Sequence, residues 1–262
     1  MSLTNKKFSN GYIDLLQMDN SNSGVDTTTR VVKDGEGTSS ALRLSDDVVL
    51  IRPQNDDTTS AFSVLAQGST ELFKVDSTNS KVLALGNYVN TQYADFGITS
   101  SSASSVINTH QAIAFGGNWS SANIAYPPAF GTGTDPATTF TTAEGNGTRA
   151  SDLVPVMWYV PDAISIDSVT SIEGADTATG DTTRMHLMGY SFSSGSTSAL
   201  TSGVLLAHNS DVTNAGSEQA YLTSWTVDSA SVTAWKVILA FFKSDSINSD
   251  YSVNIRIKYH LT

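Results

Sequence analysis

Cysteine is absent from this chain of 262 residues, and charged residues make up only 15% of it. Without cysteine there can be neither a disulfide scaffold nor a thiolate metal site. Long apolar runs are absent too, since no stretch approaches the roughly 18 to 20 apolar residues that a membrane-spanning helix needs. The first ten residues contain Lys6 and Lys7 but no apolar segment behind them, so we expect no secretory signal. These absences favour a soluble protein made in the cytoplasm.

Positive charge is scarce. The chain has 14 Lys and Arg against 25 Asp and Glu, and its formal net charge is −11. An acidic surface repels phosphate backbones, so we expect no nucleic-acid partner. No Lys or Arg occurs from residue 82 to residue 148. Such a span suits a region where chains approach each other closely, although chance composition explains it nearly as well.

Catalytic and metal-binding motifs are missing as well. The chain has no HExxH, GxxxxGK[ST] or GxSxG sequence, and no GxGxxG after a strand. Acid-bearing loops at residues 176–183 and 245–250 have calcium-like spacing, but solvated turns explain them better because neither follows the EF-hand order. The four histidines are scattered singly along the chain: His110, His186, His208 and His260. We therefore expect a protein without catalysis and without a cofactor, and place His186 and His260 on polar strand faces.

Aromatic residues give one candidate for surface recognition. Trp158, Trp225 and Trp235 lie within apolar strand patterns, which predicts that they belong to the core. Trp119 follows two glycines in a loop-like context and is the better candidate for an exposed residue on which a sugar could stack.

Small hydroxyl residues dominate what the chain does contain, with 38 Ser and 31 Thr. These side chains compete locally for backbone hydrogen bonds, which favours strands and turns over helices. The clearest pattern is Tyr251 to Leu261, where apolar and polar residues alternate without a break. Seven or eight strands of this kind predict an all-β head over residues 151–262, an antiparallel β-sandwich of jelly-roll type.

A series of short apolar pieces over residues 38–98 predicts a β-stalk. Residues 61–64 align with residues 72–75 at an offset of 11, and residues 82–85 follow. So small a segment cannot close a core alone, because short chains bury too little surface. Three copies around one axis would solve this, while one sheet of a monomeric sandwich remains the alternative. The predicted trimer core is Leu42, Leu44, Phe62, Val64, Phe73, Val75, Leu83 and Leu85, with Lys74, Asp76 and Lys81 in water.

Residues 1–37 contain no pattern long enough to bury a core and are interpreted as an extended anchor arm. Their apolar cluster would dock on another protein: Tyr12, Ile13, Leu15, Leu16 and Met18. A frayed terminus is the alternative. Residues 99–150 are interpreted as a linker and a connecting β and loop region, because residues 99–105 offer no side chain that could anchor them.

The stalk phrase at residues 62–78, Phe-Ser-Val-Leu-Ala-Gln-Gly-Ser-Thr-Glu-Leu-Phe-Lys-Val-Asp-Ser-Thr, stands between the arm and the hydroxyl-rich head. This combination resembles the fibre and surface proteins of tailed bacteriophages, especially those of marine phages, across most of the chain. The resemblance implies a homotrimeric virion protein, attached to other virion proteins by its N-terminus and displaying its C-terminal head. No residue-level functional motif carries over, and many tail fibres are several times longer.

The sequence therefore predicts a non-catalytic short fibre of the tail or head, located in the virion and made in the host cytoplasm. Its head would attach to a host-surface glycan or protein, without insertion into a membrane. A trimeric capsid decoration protein that stabilises the phage head remains open. Two further classes are a secreted carbohydrate-binding lectin-like module and a small hydrolase of cell-surface polymer.

Overall fold

The computed structural model describes residues 15–21, 23–100, 106–116, 126–176, 179–216, 218–246 and 250–262. The chain divides into two compact units, Met1–Val89 and Asn90–Thr262. Almost all regular structure in the described residues is β-strand, arranged in antiparallel sheets. The all-β class expected from the composition is confirmed.

Two four-stranded sheets make up the first unit, and in each the consecutive strands are neighbours. The first sheet contains β1 (Gln17–Met18), β2 (Arg30–Lys33), β3 (Ser39–Leu44) and β4 (Val49–Ile51). In the turn between β2 and β3, the Asp34 carboxylate accepts hydrogen bonds from the backbone N–H groups of Glu36 and Thr38. The expected boundary between arm and stalk at residue 37 falls inside this hairpin. Residues 30–33 are therefore paired in the sheet and are not part of a separate arm.

The second sheet contains β5 (Phe62–Leu65), β6 (Glu71–Asp76), β7 (Lys81–Ala84) and β8 (Asn87–Tyr88). Its strands coincide with the short apolar pieces seen in the sequence. The turn from β6 to β7 is held by Asp76, whose carboxylate accepts hydrogen bonds from the backbone N–H and the side-chain amide of Asn79, at 2.9 and 2.8 Å. These bonds lower the pKa of Asp76 below its ordinary value. Asp76 is buried and does not lie in water as expected, because it stabilises the turn.

Strand register corrects the expected facing of Leu83. Val75 lies opposite Val82, and Phe73 lies opposite Ala84, so these four residues share one face of the sheet. Leu83 lies opposite Lys74 and therefore shares the other face. Successive side chains of a strand point to opposite faces, so the register places Val82 where Leu83 was predicted. Leu85 lies beyond the end of β7, at a positive φ of 49°.

The second unit, which we call the head, contains the remaining strands and a short helix. In chain order these are β9 (Thr91–Ser100), β10 (Gln111–Ile113), α1 (Ala150–Leu153), β11 (Trp158–Val160), β12 (Ile164–Asp176), β13 (Thr182–Phe192), β14 (Leu200–His208), β15 (Val212–Thr213), β16 (Gln219–Ser224), β17 (Thr226–Val227), β18 (Ser231–Val232), β19 (Lys236–Ser244) and β20 (Asp250–Leu261). A 3-10 turn, Val154–Val156, follows α1 directly.

Two antiparallel sheets of the head pack face to face. The five-stranded sheet has the order β16-β12-β20-β9, with β18 beside β12. The seven-stranded sheet has the order β10-β19-β13-β14-β17, with β11 beside β19 and β15 beside β13. Side chains from both sheets form one core, which includes Phe96, Ile255 and Ile257 from the first sheet and Met185 and Phe242 from the second. This sandwich-like arrangement and the alternation of the last strand agree with the sequence prediction.

A third layer covers the outer face of the seven-stranded sheet. Phe130, Phe140 and Leu153 come from the long connection between β10 and β11, and they pack against Tyr190 and Phe241 of the sheet. This second core explains why Lys236–Ser244 is buried along nearly its whole length, whereas a strand of a simple sandwich would alternate. Residues 126–157 therefore belong to the head as a packed layer and are not a linker before it.

The boundary between stalk and head also differs from the expectation. The structure divides the chain after Val89, whereas the sequence interpretation placed the boundary at residue 98 and began the head at residue 151. β9 pairs with the C-terminal strand β20 from Thr91 to Ser100, so it belongs to the head. Residues 101–105 of the predicted linker lie outside the described residues.

Candidate functional site

The first unit exposes most of its large apolar side chains. Among its described residues, Val32 is the one apolar side chain that is buried. Fourteen others are exposed: Leu15, Leu16, Val25, Val48, Val49, Leu50, Ile51, Phe62, Val64, Leu65, Leu72, Val82, Leu85 and Val89. Soluble monomers rarely expose so much apolar surface in one region, because removing it from water is favourable. We treat this surface as the first candidate site, one for assembly.

The second sheet has a continuous apolar face, which we call the stalk face: Phe62, Val64, Phe73, Val75, Val82 and Ala84. The first two and Val82 are exposed, whereas the other three are half-buried. Register aligns Phe62 with Val75 and Val64 with Phe73, so the apolar residues of β5 and β6 lie side by side. Phe62 and Val64 are 43% and 44% exposed. The rings of Phe62 and Phe73 pack edge to face with centroids 6.2 Å apart. Another chain could pack on a preformed apolar strip of this kind.

The first sheet repeats this arrangement on a smaller scale. Leu42 lies opposite Ile51 and Leu44 lies opposite Val49, which is the most exposed of the four. Four of the residues predicted for the trimer core thus share the stalk face, and two more, Leu42 and Leu44, share a face of the first sheet. Packing of these residues between copies of the chain stays a prediction.

The predicted anchor residues are described only in part. Tyr12 and Ile13 lie outside the described residues. Leu15 and Leu16 are exposed, and Met18 pairs with Val32 in the first sheet. Anchoring of this cluster to another virion protein stays a prediction.

Three of the four histidines come together on the outer face of the seven-stranded sheet. His186 of β13 lies opposite His208 of β14, and their ring centroids are 6.4 Å apart. The ring of His110 meets that of His186 edge-on at 4.7 Å. Sequence reasoning treated these histidines as scattered, because only strand pairing brings positions 110, 186 and 208 together.

Two members of the histidine cluster are interior. His186 and His110 are fully buried, and Asp135 lies 3.5 Å from the His186 ring. Burial, together with the neighbouring cationic groups, lowers the pKa of His186 to about 3. Burial also lowers the pKa of His110. His186 is therefore not on a wet strand face as expected. His260 is buried as well, with its Nδ1 2.9 Å from a carboxylate oxygen of Asp167.

A polar cavity of about 360 Å³ lies on the same side of this sheet. Arg184 and Lys243 are directly opposite each other on β13 and β19, and both line the cavity. Arg184 forms an ion pair with Asp211 at 2.6 Å, and the Lys243 ammonium donates to the carbonyl oxygen of Gly133 at 2.9 Å. Asp245 lines the cavity as well, so two cations face two carboxylates and the lining carries no net formal charge that would favour a charged ligand.

The two acid-bearing loops meet at one end of the head. Asp245 accepts a hydrogen bond from the backbone N–H of Thr182 at 2.7 Å, and the Tyr251 hydroxyl donates to Asp181 at 3.2 Å. Within the described ranges, no three His, Asp or Glu side chains are grouped so that they could hold a metal ion. The carboxylate of Asp245 thus stabilises the loop itself.

Tryptophan positions separate into two classes. Trp158 and Trp225 are buried as predicted, and the indole N–H of Trp225 donates to the Ser171 hydroxyl at 2.9 Å. Trp235 is 70% exposed, so its assignment to the core was wrong. It has a positive φ of 68° and lies just before β19, with its ring centroid 6.3 Å from that of Tyr159. Trp119 lies outside the described residues.

No protein-family model matches this chain, and a search of curated proteins finds no match either. In the part of the chain that the structure describes, none of the helices has the length and apolar character needed to cross a membrane.

Proposed function

We propose that this chain is a non-catalytic structural protein of a bacteriophage particle, a homotrimeric short fibre that presents the head to the host surface. The observation that carries the proposal is the exposed apolar surface of the first unit. Val32 is its one buried apolar residue among those described, while Phe62, Val64 and Val82 of the stalk face are exposed. Short strands with so little interior of their own need partner chains to become stable.

Sister copies are the simplest partners for this surface. Every copy presents the same stalk face, and closed rotational symmetry lets all copies bury it together. Three copies around an axis would enclose the phenylalanine and valine side chains from three directions, which agrees with the fibre proteins that the chain resembles. Lys74 and Glu71, which form an ion pair at 3.1 Å, would stay at the periphery.

Topology supports a jelly-roll head. Numbering β9, β10, β12, β13, β14, β16, β19 and β20 from 1 to 8 gives the strand order 1-8-3-6 in one sheet and 2-7-4-5 in the other. Apart from the four short strands left out of this numbering, successive strands lie in alternate sheets, except that β13 and β14 are neighbours in one sheet. A double Greek key has this arrangement. We infer that the head is a jelly roll, an architecture common in viral proteins.

Two features of the head support attachment over catalysis. His110 and His186 are buried, so a substrate in solvent would not reach their rings. In contrast, the exposed Trp235 and Tyr159 offer an aromatic surface that could contact a glycan or a protein. The same pair would serve a lectin-like module, which remains the alternative from another class.

Light scattering of the full chain tests the assembly. We expect a species of three times the chain mass of 27.7 kDa. Phe73→Asp should dissociate it, because a carboxylate would be buried on the stalk face, whereas Lys74→Asp on the opposite face should leave the mass unchanged. A 27.7-kDa species that persists at all concentrations would contradict the trimer and favour the lectin-like alternative. Equal effects of the two variants would contradict the stalk face.

Electron microscopy of antibody-labelled phage particles tests the location. Label at fibre tips would support the short fibre. Regular label over the capsid surface would identify the decoration-protein alternative, and unlabelled particles would contradict a virion protein.

A further inference from the structure

The two sheets of the head differ in what covers their outer faces. Phe130, Phe140 and Leu153 cover the outer face of the seven-stranded sheet. In the described part of the head, no comparable core lies on the outer face of the five-stranded sheet. This bare surface, which we call the head face, consists of the outward residues of β9, β12, β16 and β20.

Apolar residues lie in register on the head face. Ile172 and Leu222 are directly opposite each other on β12 and β16, and they are 54% and 76% exposed. Both side chains line a shallow depression of about 520 Å³, together with Arg256 and with small residues that include Gly174, Ala220 and Ser252. An exposed cross-strand pair of large aliphatic side chains at such a depression offers a partner surface both apolar contact and a recess.

Charge on the head face differs from that of the head as a whole. Residues 90–262 contain six Lys and Arg against fourteen Asp and Glu, so two heads repel each other over most of their surfaces. On the head face, Asp95 forms an ion pair with Arg256 at 2.9 Å, and Lys258 lies opposite Tyr93. With these two cations on the head face, a second acidic head could approach it with less repulsion than the net charge of the head implies.

Covalent connection to the first unit would raise the local concentration of this face in an assembly. β9 belongs to the five-stranded sheet and begins at Thr91, one residue after Asn90, with which the head begins. The Asn90 side chain donates to the carbonyl oxygen of Leu261 at 2.9 Å, which fastens the start of the head to the sheet. Assembly through the first unit would therefore tether three such sheets at a high effective concentration, so that weak contacts between them are enough.

We propose that the head face is a second interface between copies of this chain, in which Ile172 and Leu222 pack against a neighbouring head. This inference rests on the proposed trimer, since the tether supplies the concentration. The other edge of β9 is closed, because the backbone N–H of Gly97 donates to Ala114 and that of Gly116 donates to Asp95. Addition of a strand along this part of β9 is therefore blocked, and the proposed contact between heads is made by side chains of the face.

The absence of cysteine allows a direct test. In the full chain, Leu222→Cys places one thiol on the head face, and Val204→Cys places one on an exposed position of β14 as a control. We measure the rate at which a bulky maleimide reagent labels each variant. In the native assembly, labelling of Leu222→Cys should be at least tenfold slower than that of Val204→Cys, whereas denaturant should make the two rates equal.

The same variants in the Phe73→Asp background identify what covers the thiol. If a sister copy covers the head face, dissociation should restore rapid labelling of Leu222→Cys. Protection that persists in a monomer of 27.7 kDa would overturn the inference, because residues of the same chain would then be the cover. Equal labelling rates in a species of trimeric mass would overturn it while leaving the proposed fibre intact. A monomeric mass of the parent protein would overturn both.

Discussion

The hydroxyl of Thr183 lies 2.8 Å from each carboxylate oxygen of Glu173, in the interior of the head. Glu173 is 1% exposed, and a hydroxyl has a single proton to share between the two oxygens. Burial raises the pKa of Glu173 to about 7, although the hydrogen bond from Thr183 lowers it in part. Nothing in the sequence distinguishes this acid from the others, because its partner is on another strand.

Glu173 should make the head less stable as the pH rises. Its pKa is about 7 in the folded chain against an ordinary value of 4.5, so the folded state binds more protons between these values. The contribution is fully present below pH 4.5 and is lost by pH 7, a change of about 3 kcal/mol in the free energy of unfolding. Glu173→Gln should remove this loss. Urea unfolding of the parent and the variant at several pH values measures it.

Glu144→Gln is the control for Glu173→Gln, because Glu144 is exposed. It should leave the pH dependence of the parent unchanged. Parallel stability curves for Glu173→Gln and the parent would show that Glu173 has the same pKa in the folded and unfolded chains and would contradict this prediction.

His186 should have the opposite effect, at lower pH. Its pKa is about 3 in the folded chain, below the ordinary 6.5, so the unfolded chain binds more protons as the pH falls below 6.5. The resulting loss of stability is about 3 kcal/mol between pH 6.5 and 4.5. In the same urea titration, the free energy of unfolding of His186→Leu should fall less than that of the parent as the pH is lowered from 6.5 to 4.5. If the variant lost as much stability at low pH as the parent, a group other than His186 would be responsible for that loss.

Local sequence patterns predicted those strands that can be identified without knowing which other strands pair with them. The alternation from Tyr251 to Leu261 identifies a half-buried strand whichever strands lie beside it. The pieces at residues 62–65 and 71–76 are likewise strands because each has its own apolar pattern and turn residues. Register is different, because it depends on the turn between two strands. The turn held by Asp76 and Asn79 places Val82, and not Leu83, beside Val75.

Long-range pairing accounts for what the sequence could not reveal. The partner of Thr91–Ser100 is the last strand of the chain, so no local signal assigns it to the head. The histidine cluster depends on the pairing of His186 with His208 and on the position of His110 before β10. Trp235 has apolar neighbours in sequence, which favours a place in a buried strand. Its positive φ is incompatible with strand geometry, so its side chain does not follow the alternation of those neighbours.

Packing of the third layer of the head can be tested at Gly203. A Cβ at this position would lie 2.6 Å from the Tyr190 ring and 2.8 Å from Cα of Thr138. Gly203→Ala should therefore push residues 126–157 away from the sheet and lower the free energy of unfolding by about 1 to 3 kcal/mol. Gly216→Ala is the control, since its added Cβ meets only ordinary contacts with Gln219. Thermal unfolding of both variants gives the comparison, and equal melting temperatures would contradict the close packing of this layer.

Trp235 combines an exposed indole with a backbone conformation that side chains rarely adopt. At a φ of 68°, Cβ is crowded by the backbone, and left-handed geometry costs roughly 1 to 2 kcal/mol for residues other than glycine. Trp235→Gly and Trp235→Ala both remove the indole and its contact with Tyr159, but only glycine relieves the strain. We expect the glycine variant to be more stable than the alanine variant by about 1 kcal/mol in urea unfolding. Both should bind host cells more weakly than the parent if the aromatic pair serves attachment. Equal stability of the two variants would show that the position is unstrained, and unchanged cell binding would exclude Trp235 from the attachment surface.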